Sequence, residues 1–344
     1  MTDLIFENAL LPEGTRAAIA VTAGRIEAIL PPDAPRPAAG GTVDFAGRLV
    51  APGFVEGHIH LDTSFWGDAW FPYKPCTDGF DVHERVAFQH ENLAQAAPLA
   101  VRARNQLELC LAQGSTRMRS HVMIDLKVGL SHVETLLEVR EEYAGLIDLQ
   151  LCAFPQNGIL HSPGVAGMMD AAMGLGCEVV GGLDPATFDR DVEGHLNAVF
   201  DIAERRGAPV DIHLHDHGTL GVFEIERICE RTVALGMQGK VGVSHAYGLG
   251  DVDEGAQRKA AARLAEAGVA IMTTAPAGRD PSRGGRGRLV GLRQHPRFLV
   301  AVRRRRHAGA GADDRLSLGL QHRRAARHGL RHRHAGGRHG PGPD

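Results

Sequence analysis

Five histidines stand at spacings that suit a metal ion. His58 and His60 lie in "GHIHLD", His213 and His215 in "DIHLHDHG", and His245 in "VSHAYG". Side chains two apart on a strand point to the same face, so one HxH places two imidazoles side by side. Two imidazoles on one face form half a metal site. A single HxH reads equally well as a pair of hydrogen-bonded polar residues. Histidines recurring in this order at three strand ends point instead to a bound divalent cation, Zn or Fe.

These residues need strands that bring them to one place. Residues 3–48 alternate short β-type runs with turns, a small all-β start. After residue 48 short apolar runs alternate with longer amphipathic stretches, the pattern of a parallel α/β sheet. Seven strand candidates follow, at 49–62, 115–122, 147–156, 177–185, 210–218, 240–248 and 269–278. Helix candidates lie between them, among them "HVETLLEVREEYAG" and "VEGHLNAVFDIAERRG". Seven strand–helix alternations predict a (β/α)8 TIM barrel with one unit unaccounted for. Polar residues gather at the strand C-termini, where barrel active sites form.

Composition narrows the class. The 344 residues are 43% hydrophobic and 23% charged, which suits a soluble globular chain. The five cysteines form no CxxC and no close-spaced framework, which predicts a reducing, cytoplasmic setting. The first residues lack a basic stretch followed by an apolar one, so no signal peptide is expected. No apolar run reaches about 18 residues, and no membrane association is expected.

The motifs "GFVEGHIHLDTS", "RSHV", "EVREEYAGLIDLQLCAFPQNGIL", "VDIHLHDHG" and "VSHAYGLG" occur in that order between residues 1 and 278. In this the sequence resembles the cytosine-deaminase-like members of the amidohydrolase superfamily. The resemblance implies that His58, His60 and His213 are metal ligands and that His245 hydrogen-bonds the attacking water or the developing tetrahedral oxygen. It places Asp216 where those deaminases carry a glutamate as general acid and base; here the side chain is one methylene shorter. It matches Gln156 to a glutamine that hydrogen-bonds the substrate's ring amide. The small β domain would be a β-sandwich built from both termini, and the parent protein a homo-oligomer.

The chemistry follows from these parts. A bound Zn²⁺ or Fe²⁺ lowers the pKa of water toward about 7. Attack on the amidine carbon of a heterocycle, with a carboxyl group carrying the proton to the ring nitrogen and then to the amine, is hydrolytic deamination. "GGLDP" offers no lysine to bridge two ions, so one metal is expected. The other zinc deaminase signature, H-x-E with P-C-x-x-C, is absent: "HVE" at 132–134 has no partner cysteines. The resemblance also requires a carboxylate at the tip of strand 8, and nothing after residue 278 reads as such a strand.

Residues 279–344 differ from the rest of the chain. They hold 17 Arg, no Lys and 4 acidic residues, against 21 basic and 37 acidic residues before them. Arg303–Arg306 are consecutive. A basic tail is one reading. A GC-rich coding sequence read out of frame gives the same composition. Synonymous codons for residues 291–311, read one base later, yield "GSDNIRDSWSPYGDGDMLERA". It contains "GSDNIRD", the strand-8 aspartate motif that the resemblance requires.

The sequence therefore predicts three segments: 1–48 as half of a β-sandwich, 49–278 as barrel strands 1–7, and 279–344 as a frameshifted, disordered Arg-rich tail. The barrel is expected to be incomplete in this chain. The predicted function is metal-dependent deamination of a cyclic amidine such as cytosine or an aminotriazine, impaired here, with a small-molecule aminoheterocycle as substrate. Nucleic acid and membrane are not expected as partners. A cyclic-amide hydrolase of the same superfamily would share the metal site. A nucleic-acid-binding protein would use the basic tail and bind with strong salt dependence.

Overall fold

The computed structural model describes residues 2–79, 81–274 and, as backbone alone, 301–303. The chain divides into two compact units, Met1–Phe54 and Val55–Asp344.

The first unit is a four-stranded sheet. β1 (Leu4–Leu10), β2 (Arg16–Thr22), β3 (Arg25–Leu30) and β4 (Thr42–Asp44) lie in the order β3-β2-β1-β4. β1 and β2 are antiparallel, as are β2 and β3, whereas β4 joins β1 in parallel. Ile5, Ala18 and Ala20 form its buried face.

The second unit is a parallel sheet wrapped by helices. Its strands are β5 (Phe54–Ile59), β6 (Ser115–Ile124), β7 (Asp148–Pro155), β8 (Val179–Leu183), β9 (Val210–Leu214), β10 (Val241–His245), β11 (Ala270–Thr274) and β12 (Ala301–Arg303). They are neighbours in chain order from β5 to β12, as right-handed βαβ units require. The seven predicted barrel strands are all present. Beyond these seven, the backbone of Ala301–Arg303 pairs with β11 in parallel, Met272 opposite Ala301. That strand falls inside the segment read as frameshifted. Residues 275–300 and 304–344, most of that segment, lie outside the described residues.

The helices are α1 (Val82–Leu93), α2 (Leu99–Ala112), α3 (Ser131–Glu142), α4 (Val165–Leu175), α5 (Val192–Arg206), α6 (Gly218–Ala234) and α7 (Glu254–Ala267). α5 shows how sequence makes them. Asp191 caps its N-terminus by accepting from Gly194 N–H at 2.8 Å. Leu196, Val199, Phe200 and Ala203 recur at helical spacing and are buried in the main core. Arg205 and Arg206 occupy the last turn, and Gly207 ends the helix at φ 62°. Among the described residues, no helix is long and apolar enough to cross a membrane.

Candidate active site

Register sets the imidazoles at one level. His213 stands opposite Ser244 on β10 and Leu183 on β8, and His121 stands opposite Cys152 on β7. The end of β5 is tied to β6 where Leu61 N–H donates to Ser120 Oγ at 3.1 Å. His58, His60, His121, His213 and His245 thus converge. Ring centroids of His58 lie 4.3 Å from His121, 4.6 Å from His213 and 4.6 Å from His245.

His58, His121 and His213 form the tightest group, with one ligand atom from each within 4.8 Å of the others. His60 joins it, Nε2 lying 3.1 Å from His213 Nε2. Two nitrogens on one tetrahedral zinc at 2.0–2.1 Å stand about 3.3 Å apart, so this spacing suits two ligands of one ion. Burial, the largest cause, pulls the His60, His121, His213 and His245 rings below the usual imidazole range, so they are neutral and offer lone pairs. Among the described residues, both nitrogens of His121 and Nδ1 of His213 are buried without a hydrogen-bond partner. Unsatisfied buried nitrogens on neutral imidazoles fit a cation. His121 has no HxH neighbour, and the sequence reading gave it no role; the only signal was its strand position in "RSHV".

A cavity of about 1440 Å³ opens above the cluster. His58, His60, His213, His215 and His245 line it, with Phe154, Gln156 and Tyr247. Gln156, at the end of β7, therefore stands where a ligand would meet it. The loop after β5 supplies Phe65, Trp66, Trp70, Phe71 and Tyr73 to the same wall. Buried Arg102 holds that loop, donating to the carbonyls of Asp62 at 3.0 Å and of Ala97 at 2.8 Å.

His215 lies beyond the end of β9, stacked on His245 with centroids 4.4 Å apart. Its Nδ1 is 2.7 Å from Asp184 Oδ2. Asp184 takes φ 32° and His245 φ 72°, left-handed values that cost L-residues energy and gather at functional sites.

Asp216 is buried, and it is not among the residues lining the cavity. Its carboxylate accepts from the Thr187 hydroxyl. Glu224 is fully buried beside it. Burial first, and then the Asp216 charge, push the Glu224 carboxyl up to about 9, so it is protonated at neutral pH. Two glycines permit this packing: a Cβ on Gly221 would meet the Asp216 carbonyl oxygen at 2.2 Å, and one on Gly248 at 2.8 Å.

The π-helical turn Pro185–Asp189 links these loops. Thr187 holds Asp216, Ala186 N–H donates to Glu224 Oε1 at 2.9 Å, and Asp189 accepts from the backbone N–H groups of Ile159, Leu160 and His161 just after Gln156. His195 Nδ1 lies 2.6 Å from Asp189 Oδ2, and its Nε2 accepts from Leu183 N–H. Burial alone would raise the Asp189 carboxyl, but these donors, His195 foremost, bring it down to about 2. A lowered folded-state pKa adds stability above the unfolded value of about 3.9, which is lost as pH falls toward about 2. Urea unfolding should therefore show a loss of stability between about pH 4 and pH 2 that Asp189→Asn reduces. Asp189→Ala, which strands the His195 donor, should cost about 3–5 kcal/mol near neutral pH. An unchanged acid profile in Asp189→Asn would contradict this.

A parallel barrel sheet with a cage of strand-end imidazoles at its mouth defines a class: a TIM-barrel protein with a candidate site for a divalent cation. The profile of the Amidohydrolase family matches residues 41–316, and the chain belongs to that family. It is 32% identical over 219 residues to the N-isopropylammelide isopropyl amidohydrolase of Pseudomonas sp. (strain ADP), covering 61% of this chain and 52% of that protein. The chain thus spans about half the length of this relative. It resembles the crystal structure of N-isopropylammelide isopropylaminohydrolase from Burkholderia multivorans ATCC 17616 with a TM-score of 0.74 and 36% identity, covering 81% of this chain and 70% of that one. It also resembles the 5-methylcytosine deaminase of Klebsiella pneumoniae liganded with 5-fluorocytosine, with a TM-score of 0.66 and 28% identity, covering 78% and 65%.

Proposed function

We propose that this chain is the greater part of a metal-dependent hydrolase that removes an amino or alkylamino group from a planar nitrogen heterocycle, such as cytosine or an aminotriazine. The observation that carries the reading is the cage of neutral imidazoles under an aromatic-walled cavity. The relatives support it, since the names of two of them describe removal of an amine from such a ring.

His58, His60, His121 and His213 are the residues that would hold the ion. When bound, a divalent cation acidifies water and polarises the carbon under attack. The chain's own groups do the rest. Phe154, Trp66 and Tyr247 offer flat faces to a ring. The Gln156 amide carries both a donor and an acceptor, which matches a ring N–H beside a C=O. His245 hydrogen-bonds the oxygen that adds to the ring carbon. His215, oriented by Asp184, is placed at the wall to take a proton and return it to the departing nitrogen. Water adds across the C=N bond, the exocyclic C–N bond breaks, and the products are a ring carbonyl and ammonia or an alkylamine. Asp216, which the resemblance implies as the general acid and base, sits beside Glu224 behind that wall with the Thr187 hydroxyl on its carboxylate.

Binding tests the reading in the chain as it stands. Titration with cytosine, an N-alkylaminotriazine and a hydantoin, each with Zn²⁺ present, should give saturable quenching of the Trp66 and Trp70 fluorescence by the aminoheterocycles. Gln156→Ala should weaken it about 10-fold or more, the loss of a buried hydrogen-bonded pair. Preference for the hydantoin would favour cyclic-amide hydrolysis instead.

A further inference from the structure

A polar chain runs beneath the imidazole cage. His58 Nδ1 lies 2.9 Å from Ser244 Oγ. Ser244 Oγ lies 2.7 Å from Asp211 Oδ1. Asp211 Oδ2 accepts from Arg119 Nη1 at 2.7 Å, and Arg119 Nε donates to Gln150 Oε1 at 2.8 Å. His58, Ser244 and Asp211 are all buried.

Each group in this chain has a limited number of protons, and that fixes its direction. Arg119 only donates, so Asp211 meets it as an acceptor. Asp211 Oδ2 is taken by the guanidinium, and its other oxygen, Oδ1, faces the Ser244 hydroxyl as an acceptor. Ser244 therefore gives its single hydroxyl proton to Asp211. The serine oxygen is left to accept, so His58 must donate from Nδ1. In that tautomer the ring's lone pair is on Nε2.

We infer that Arg119, Asp211 and Ser244 are positioning residues that hold His58 in the Nδ1–H tautomer and so commit its Nε2 to the metal. This rests on the metal reading above, and goes beyond it in assigning how one ligand is prepared before any ion arrives. Nothing in the reaction itself uses these three side chains. They act through the ring they orient.

The Asp211→Asn substitution has an unusual consequence. Its amide has one acceptor, which Arg119 claims, so its NH₂ group must face Ser244. Ser244 then accepts from the amide and donates to His58 Nδ1. The direction of the chain reverses, and His58 is driven to the Nε2–H tautomer, which cannot bind a metal through Nε2. A carboxylate-to-amide change that spares geometry but selects the wrong tautomer has this form. Ser244→Ala only removes the constraint and leaves both tautomers accessible.

The experiment uses the full chain labelled with [¹⁵N]histidine, metal-free, with His58 assigned by comparison with His58→Asn. The ring nitrogen shifts should show His58 protonated at Nδ1, a mixture in Ser244→Ala, and protonation at Nε2 in Asp211→Asn. Competition with a chromophoric chelator should show Zn²⁺ bound 10–100-fold more weakly in Ser244→Ala and at least as much more weakly in Asp211→Asn. Ser244→Thr, which keeps the hydroxyl, should recover the Nδ1–H tautomer. An Nε2–H His58 in the unsubstituted chain, or a tautomer unmoved by Ser244→Ala, would overturn the inference. The tautomer is read without metal, so a chain that bound no Zn²⁺ at all would sink the metal reading and leave this one decided by the spectrum. If Asp211→Asn failed to fold, the unsubstituted chain and Ser244→Ala would still decide it.

Discussion

A gene corrected by one base near codon 279 should encode an enzyme that releases ammonia or alkylamine from an aminoheterocycle, while the chain as given releases none that can be measured. The argument is chemical. The described residues bring neutral imidazoles to the site and hold Asp216 back from the cavity, with Thr187 on its carboxylate. No carboxylate is described on β12, where only the backbone of Ala301–Arg303 is placed. His215 can move a proton at the wall, but the carboxylate that the family resemblance requires at the tip of strand 8 to take the proton of the attacking water is absent among the described residues, and losing a general base costs about 10²–10⁴ in rate. The out-of-frame "GSDNIRD" supplies aspartates in the segment that follows strand 7. Steady-state amine release by the two chains, matched for metal, measures the effect. Changing the regained aspartates to asparagine should return the corrected chain to the low rate. Equal turnover by both chains would remove the frameshift reading and the need for that carboxylate together.

The barrel was legible because each strand is a short apolar run ending in polar residues. "VDIHLHDHG" and "VSHAYG" announce β9 and β10 in this way, and the register then sets their tips level. Less could be read past the strand ends. Alternation of faces holds only while the pleat continues, and β9 stops at Leu214. Beyond it the chain turns: the HxH spacing set His215 beside His213, and it lines the cavity, but nothing in the spacing foretold that Asp216 would pack against Thr187 and Glu224. Asp184 was visible in "GGLDP", but its partner His215 is 31 residues away and the pairing depends on the left-handed backbone at Asp184. His121 was hidden for a different reason. One histidine in a strand carries no spacing signal, and its importance appears only when the curved sheet brings the ends of β5, β6 and β9 round to one mouth. α1, between β5 and β6, carries little apolar signal: Val86 is its one buried residue.

A buried cation helps to hold the aromatic loop after β5, beside the Asp68 carboxylate on Ala97 N–H and the Ser64 hydroxyl on Gln106. Arg102 gathers the Asp62, Ser64 and Ala97 carbonyls. Five of the chain's large aromatic side chains, Phe65, Trp66, Trp70, Phe71 and Tyr73, are thereby held near the cavity although Trp66, Trp70 and Tyr73 are exposed. Exposed rings beside a deep polar site suit a flat ligand that passes between water and the cage.

The central claim is that the imidazole cage holds one divalent ion. Elemental analysis of the purified full chain, loaded with Zn²⁺ or Fe²⁺ and dialysed, tests it most directly. About one metal per chain is expected. His58→Ala and His213→Ala should each abolish it, because each removes a donor from the tightest group and exposes its neighbours to an unfilled position. His60→Ala and His121→Ala should lose the metal as well. Removing one ligand of a structural zinc site costs much of its binding energy, so occupancy after dialysis should fall to background. Full occupancy retained in the His58, His60 and His213 variants would contradict the account.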